Sequence, residues 1–202
     1  MSLEDCEIFK VIILGDMSVG KTSILLRYVE NKFKENIIST IGVDFMDKII
    51  DYGDTKIALK IWDTSGQEKY ESLAQHFLRD TDGAFLVFDL TEKSSFEHIK
   101  KWLTEINDSN ENVKIIILGN KSDLKDKRVV AEDIAINFAQ KHNFKYFETS
   151  AKDDTNINEA FKAMADSFME NRTINRAESK HHKGSFSVKK GDANKKKKSC
   201  CK

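Results

Sequence analysis

The chain has 202 residues, room for one α/β domain and a tail, and its 33 Lys/Arg balance its 33 Asp/Glu. No run of about 18 apolar residues occurs, so no spanning helix is expected; no basic stretch leads into an apolar run at the N-terminus, so no secretory signal is expected either. The charge is unevenly spread: residues 172–202 hold 11 Lys/Arg against 2 Asp/Glu, leaving 22 against 31 in residues 1–171, so nucleic acid is excluded as the body's ligand and the tail suits an anionic surface.

In chain order, the apolar run Ile8–Leu14 predicts a buried parallel strand. It leads into Gly15-Asp16-Met17-Ser18-Val19-Gly20-Lys21-Thr22, which reads G-x-x-x-x-G-K-T, and then into Ser23–Val29, a predicted helix. Strand, glycine loop and helix together make the setting of a phosphate-binding loop. Its glycines let backbone N–H groups turn toward oxygen atoms, and the helix N-terminus adds partial positive charge. Phosphate contact is therefore assigned to Gly15, Asp16, Ser18, Val19, Gly20, Lys21, Thr22 and Ser23. Lys21 would bridge the β- and γ-phosphates, and the Thr22 hydroxyl would ligate Mg²⁺. The motif indicates a nucleoside triphosphate without choosing its base.

Residues 31–42 show no clean period and read as a loop. Within it Thr40 is a candidate second hydroxyl for Mg²⁺; taken alone, it is an ordinary loop threonine. Further strands are predicted at Asp44–Asp51, Lys56–Asp63, Ala84–Leu90, Val113–Gly119 and Lys145–Glu148. Only the first two of these are joined by a short turn, residues 52–55, which makes them a hairpin. The remainder alternates strand and helix, so an α/β fold is expected, with six mostly parallel strands, one antiparallel edge strand and helices on both faces. Ligands of such sheets sit beyond the carboxyl ends of the strands.

Three further strand ends carry chemistry. Trp62-Asp63-Thr64-Ser65-Gly66-Gln67 places a carboxylate where it could hold Mg²⁺ opposite the phosphate loop. There Gly66 would admit backbone close to the γ-phosphate, and the Gln67 amide would orient a water for in-line attack. Asn120-Lys121-Ser122-Asp123 chooses the base, because a carboxylate at Asp123 accepts from the N1–H and 2-amino edge of guanine. Adenine has no donor at N1 and would leave that carboxylate unpaired, at a cost of roughly 1–3 kcal/mol. At the last strand end, Ser150-Ala151-Lys152 offers the Ala151 N–H to the guanine 6-oxygen and the Lys152 stem to the ring face.

Asn156 with Glu159 three residues on predicts a capped helix start, followed by a core stripe of Ile157, Phe161, Met164 and Phe168. The domain is expected over residues 1–171. Residues 172–202, few in large apolar side chains, read as a disordered basic tail. It closes with Lys195–Lys198, Ser199, Cys200, Cys201 and Lys202, which looks like a lipidation site. A solvated charged tail and a metal clip are the alternatives. With Cys6, the chain has three cysteines, too few for a disulfide framework, and a reducing cytosol is the expected compartment.

Over residues 8–171 the set of motifs resembles Ras-like small GTPases, and Ile38–Phe45, Lys60–Thr64 and the Cys-Cys ending resemble the Rab family among them. The resemblance implies the P-loop GTPase fold, binding of GTP and GDP with Mg²⁺, hydrolysis of GTP with Gln67 and Lys21 as the catalytic pair, and a role as a membrane-anchored trafficking switch. It implies that Phe33 packs edge-on against guanine, and that Thr40 senses the γ-phosphate and Mg²⁺. It also implies that Phe45, Trp62 and Phe77 form an exposed triad for effectors, and that Cys200 and Cys201 are prenylated. The partners it implies are an exchange factor, an activating protein, a GDP dissociation inhibitor, a prenylation escort and transferase, and effectors. The chain is expected to be a monomer on the cytoplasmic face of an intracellular membrane, with a carrier-bound cytosolic pool. Ser65 stands beside the γ-phosphate where the family usually has Ala, and Met17 stands in the phosphate loop where family members often carry a small residue. They keep open a binding module with negligible hydrolysis; a Ras- or Rho-type signalling GTPase is a further rival.

Overall fold

A computed structural model describes residues 6–35, 40, 43–53, 55–65, 77–110 and 112–182. Its strands are β1 (Glu7–Leu14), β2 (Val43–Tyr52), β3 (Thr55–Thr64), β4 (Gly83–Asp89), β5 (Lys114–Asn120) and β6 (Lys145–Glu148). They form one sheet in the order β2-β3-β1-β4-β5-β6. Only β2 and β3 run antiparallel, as their short connection requires; the other neighbours are parallel. The sequence locates all six strands, with ends that differ by at most one residue.

The helices are α1 (Lys21–Glu30), α2 (Lys93–Glu97), α3 (Ile99–Ser109), α4 (Glu132–Lys141) and α5 (Ile157–His182). Strand alternation sends Ile12, Leu14, Leu86, Phe88 and Ile117 to one side, where Ile99, Trp102 and Ile106 of α3 and Ala135 and Ala139 of α4 cover them. The opposite side is aromatic. Tyr28 of α1 stacks on Phe161 of α5 at 3.8 Å, Phe85 lies 4.6 Å from Phe161, and Phe9 stacks on Phe168 at 4.5 Å. Gly83 lets α5 come this close, since a Cβ there would sit 2.6 Å from the Met164 sulfur. Phe161 is fully buried, and truncating it to Ala would cost about 3–5 kcal/mol.

β2 lies at the sheet's edge. Phe45, Asp47, Ile49 and Asp51 point to solvent and alternate with half-buried neighbours. The aspartates discourage pairing with another chain. The Tyr52 hydroxyl donates to the Asp166 carboxylate at 2.7 Å and ties this hairpin to α5.

The start of α5 differs from a capping box. Asn156 takes a left-handed φ of 54°, and its amide donates to the Glu148 carbonyl at 2.7 Å. The cap residue is thereby fastened to the end of β6. The helix also runs on to His182, past Asn171, where the sequence reading ends the domain. No Gly or Pro occurs between Asn156 and Gly184, so nothing in the local sequence stops it. The chain divides into two units, Met1–Phe168 and Met169–Lys202. Among the described residues no helix is long and apolar enough to cross a membrane.

Candidate functional site

The motifs at the carboxyl ends of β1, β3, β5 and β6 surround one cavity of about 420 Å³. Its phosphate end begins with Gly15, whose φ is 145° and whose Cβ would meet the Val87 carbonyl oxygen at 2.1 Å. Gly20, at φ 99°, would drive a Cβ to 2.3 Å from the Asn120 amide nitrogen. A Cβ at either position would force its neighbour to shift and strain the backbone. The approach at Gly20 lets the buried Asn120 amide donate to the Val19 carbonyl at 2.8 Å. The base motif is thus bonded to the phosphate loop.

Lys21 opens α1 and is only 5 % exposed. Its ammonium donates to the carbonyls of Gly15 (2.8 Å) and Asp16 (2.7 Å). Burial pushes its pKa down to about 8, against the pull of Asp63 and Asp16. An anion in the cavity would favour its charged form.

Beside it three oxygen-bearing residues converge. Thr22 donates to Asp63 Oδ2 at 2.6 Å, the Thr22 and Thr40 hydroxyls lie 2.9 Å apart, and Thr40 donates to the same Oδ2 at 3.3 Å. Asp63 Oδ1 is buried and meets no hydrogen-bond partner among the described residues. Burial raises the Asp63 carboxyl above its usual range, while Thr22 and Lys21 oppose the shift. Hard oxygen donors around an unsatisfied carboxylate oxygen fit Mg²⁺.

At the base end, Asp123 Oδ1 accepts from the Ser150 hydroxyl at 2.7 Å, and the Ser150 oxygen accepts from the Asp153 N–H at 3.0 Å. The Thr149 hydroxyl donates to the Asn120 side-chain oxygen Oδ1 at 3.3 Å. Lys121, at φ 67°, places its ammonium 2.5 Å from Asp89 Oδ2, whose companion oxygen accepts from the Thr91 N–H and hydroxyl.

Of the assigned residues, Ser18, Gly20, Lys21, Thr22, Ser23, Phe33 and Thr40 line the cavity, with Asn120, Lys121, Asp123, Ala151 and Lys152. Gly15, Val19 and Ser150 stand behind this lining. Asp16 does too, and its carboxylate turns outward, 2.6 Å from His98 Nδ1 and accepting from Trp102 Nε1 at 3.0 Å. Met17 is 53 % exposed at the lining, and buried Ser65 contributes to it. Phe45, Trp62 and Phe77 form a continuous row with ring centroids 5.1 and 4.7 Å apart. Only Phe45 is exposed; the other two pack partly against the core, so the triad is less open than expected. Gly66, Gln67, Lys195–Lys198, Cys200 and Cys201 lie outside the described residues.

Asp89 and Arg27 were not singled out from sequence. Asp89 ends an apolar strand, the same signal that marks Asp63. Arg27 carries no local signal, for its partners Ala151 and Lys152 lie more than a hundred residues away.

A family model described as the Ras family matches residues 10–170. Among curated proteins, the chain is 41% identical over 159 residues to the Ras-related protein Rab-13 of Canis lupus familiaris, 78% of each chain. It is 39% identical over 185 residues to the GTP-binding protein ypt1 of Schizosaccharomyces pombe, 91% of each. To the Ras-related protein Rab-27A of Homo sapiens it is 42% identical over 174 residues, 80% of this chain and 79% of that one.

Proposed function

The chain belongs to the Ras family as a Rab-type small GTPase that binds GTP and GDP and hydrolyses GTP, and on that premise we propose how its residues divide the work. The observation that carries the proposal is the convergence of Thr22, Thr40 and Asp63 beside buried Lys21. Thr22, Thr40 and Asp63 would hold Mg²⁺, whose charge favours the build-up of negative charge on the transferred phosphoryl group. Lys21 leaves the Gly15 and Asp16 carbonyls for phosphate oxygens. Gly66 gives the γ-phosphate a close backbone neighbour, and Gln67 orients the attacking water. Catalysis is then positional and electrostatic. Asn120, Lys121, Asp123, Ser150, Ala151 and Lys152 read guanine, with Phe33 against its edge.

Chelation tests this assignment. EDTA should speed GDP release from the wild type, while Thr22→Asn should release GDP fast from the start and respond little to chelator. A wild type indifferent to EDTA would remove Mg²⁺ from the scheme.

Family membership supports regulators and effectors in general. The finer set we infer is an exchange factor, an activating protein, effectors that dock on Phe45, Trp62 and Phe77, a GDP dissociation inhibitor, and a prenylation escort and transferase. The chain works as a monomer in a membrane-trafficking step. Prenyl chains on Cys200 and Cys201 hold it on the cytoplasmic face of an intracellular membrane, since one chain gives only reversible attachment and two anchor stably. Lys195–Lys198 add attraction to anionic lipid, and a soluble carrier withdraws the GDP form. Fractionation of the double Cys→Ser variant should find it soluble, and mass spectrometry of the wild-type C-terminal peptide should find both lipids.

A further inference from the structure

We propose that Arg27 is a positioning residue for base recognition, fixing the turn after β6 against the helix that carries Lys21 and Thr22. The idea rests on the assignment of Ala151 to the 6-oxo group of the purine. Arg27 sits in the last turn of α1. Its Nε donates to the Ala151 carbonyl at 2.8 Å and its Nη2 to the Lys152 carbonyl at 3.0 Å. The third nitrogen, Nη1, donates to the Asn31 side-chain oxygen at 3.0 Å and to the Asn31 carbonyl at 3.3 Å. Each of these four acceptors is neutral, so the fork serves geometry rather than charge pairing. A planar guanidinium can meet two consecutive carbonyls at once, which an ammonium cannot.

The turn it holds is closed internally at its base, where the Asp153 N–H also donates to the Ser150 hydroxyl oxygen at 3.0 Å. Ser150 and Thr155 exchange backbone bonds of 3.1 and 3.0 Å, which closes the turn's base. The Ser150 hydroxyl then reaches Asp123. The carbonyls of Ala151 and Lys152 look the other way, toward α1, and Arg27 is their donor. Without it the Ala151 carbonyl loses its donor in a part-buried setting, the exposed Lys152 carbonyl turns to water, and the turn is free to shift away from the base. Because α1 starts in the phosphate loop, Arg27 links the two ends of one ligand's site through a single helix. Asp123 is fixed separately, through Ser150, so the reading of the 2-amino group should not depend on Arg27.

That separation supplies the test. Dissociation constants for GDP, 6-thio-GDP and IDP would be measured for wild type, Arg27→Lys and Arg27→Ala. The thio compound keeps the N1–H and 2-amino donors but weakens the 6-position acceptor; IDP keeps the 6-oxygen and lacks the 2-amino group. Both variants should bind GDP about tenfold more weakly, the scale of losing a charge-assisted hydrogen bond. Their preference for GDP over 6-thio-GDP should fall by a similar factor, while their preference for GDP over IDP stays at the wild-type value. A purely structural Arg27, acting as a positive charge near the carboxyl end of α1, would be rescued by Arg27→Lys and would weaken all three nucleotides equally. Either result overturns the proposal. If Arg27→Ala does not fold, Arg27→Lys alone decides between these outcomes. A wild type that does not distinguish GDP from 6-thio-GDP would overturn the Ala151 assignment itself, and the proposal with it.

Discussion

The two ends of the cleft are built on opposite principles. At the phosphate end polar groups are buried and partnered with one another: Lys21 on its own loop's carbonyls, Thr22 and Thr40 on Asp63, and one Asp63 oxygen on nothing described. On the proposed assignment these bonds are exchanged when phosphate and cation enter. At the base end Asn120 is held by the Val19 carbonyl and the Thr149 hydroxyl, Asp123 by Ser150 and Lys121 by Asp89, and the Asp123 carboxylate lines the cavity. A preorganised end selects the ligand at little reorganisation cost. An end whose bonds rearrange can report whether the third phosphate is present.

The sharpest way to break this contrast is at Asp123. Asp123→Asn should invert base preference, weakening GDP and GTP and favouring xanthine nucleotides, whose 2-oxo edge meets an amide. Sites built to hydrogen-bond a polar group reject its mismatch by about 10⁴-fold, so the switch should be on that order. Competition binding checks it. Comparable affinity of the wild type for ATP and GTP would mean that the base end is not preorganised for guanine.

Gly20→Ala attacks the joint between the ends. The added Cβ must displace the Asn120 amide and adopt a left-handed φ, and such strain costs on the order of 1–3 kcal/mol before any bond is lost. Affinity for guanine nucleotides should fall about 10²-fold, with base selectivity and phosphate binding failing together. Loss of phosphate binding with intact base selectivity would show that the ends are independent.

Gln67→Leu separates binding from chemistry. Misplacing the attacking water should slow GTP hydrolysis by roughly 10²-fold while nucleotide affinity stays nearly unchanged. Single-turnover assays read the first quantity and equilibrium titration the second. An equal loss in both would place Gln67 in ground-state binding.

Most of the sheet was legible because its strands are apolar runs bounded by turn residues, and because one short connection among five can only be a hairpin. That the motifs gather at one cavity was legible because each is a short run of residues at a strand's carboxyl end. What escaped had no such local pattern. Arg27 looks like any basic residue in a helix's last turn, and Ala151 and Lys152, its distant partners, are brought in by the fold. Asp16 belongs to the motif, yet its carboxylate serves His98 and Trp102, a contact that depends on where α3 lands. Asn156 has the composition of a cap and a different bond, because β6 ends within reach of its amide. The run of α5 to His182 follows from the absence of a breaker, which periodicity does not register.

The smallest effect lies behind the base end, where Arg128 grips the Glu148 carboxylate with two nitrogens and Tyr146 donates to it at 3.0 Å. The Arg128 bonds, with the Tyr146 bond and against burial, hold the Glu148 carboxyl below its usual range. A carboxyl with a lowered folded pKa stabilises the fold above its unfolded pKa, and the contribution disappears as the pH falls through the lowered value. Arg128→Met should therefore cost about 1 kcal/mol at neutral pH, the scale of a partly exposed ion pair. The deficit should shrink as the pH falls below the ordinary carboxylate range and acid protonates Glu148 in both proteins. Urea unfolding midpoints across that fall in pH provide the measurement. Neither Arg128 nor Glu148 lines the cavity, so the preference for GDP over IDP should stay unchanged. A deficit that persists undiminished at the acid end would show that Arg128 supports the base end through its bond to the Val130 carbonyl rather than through Glu148.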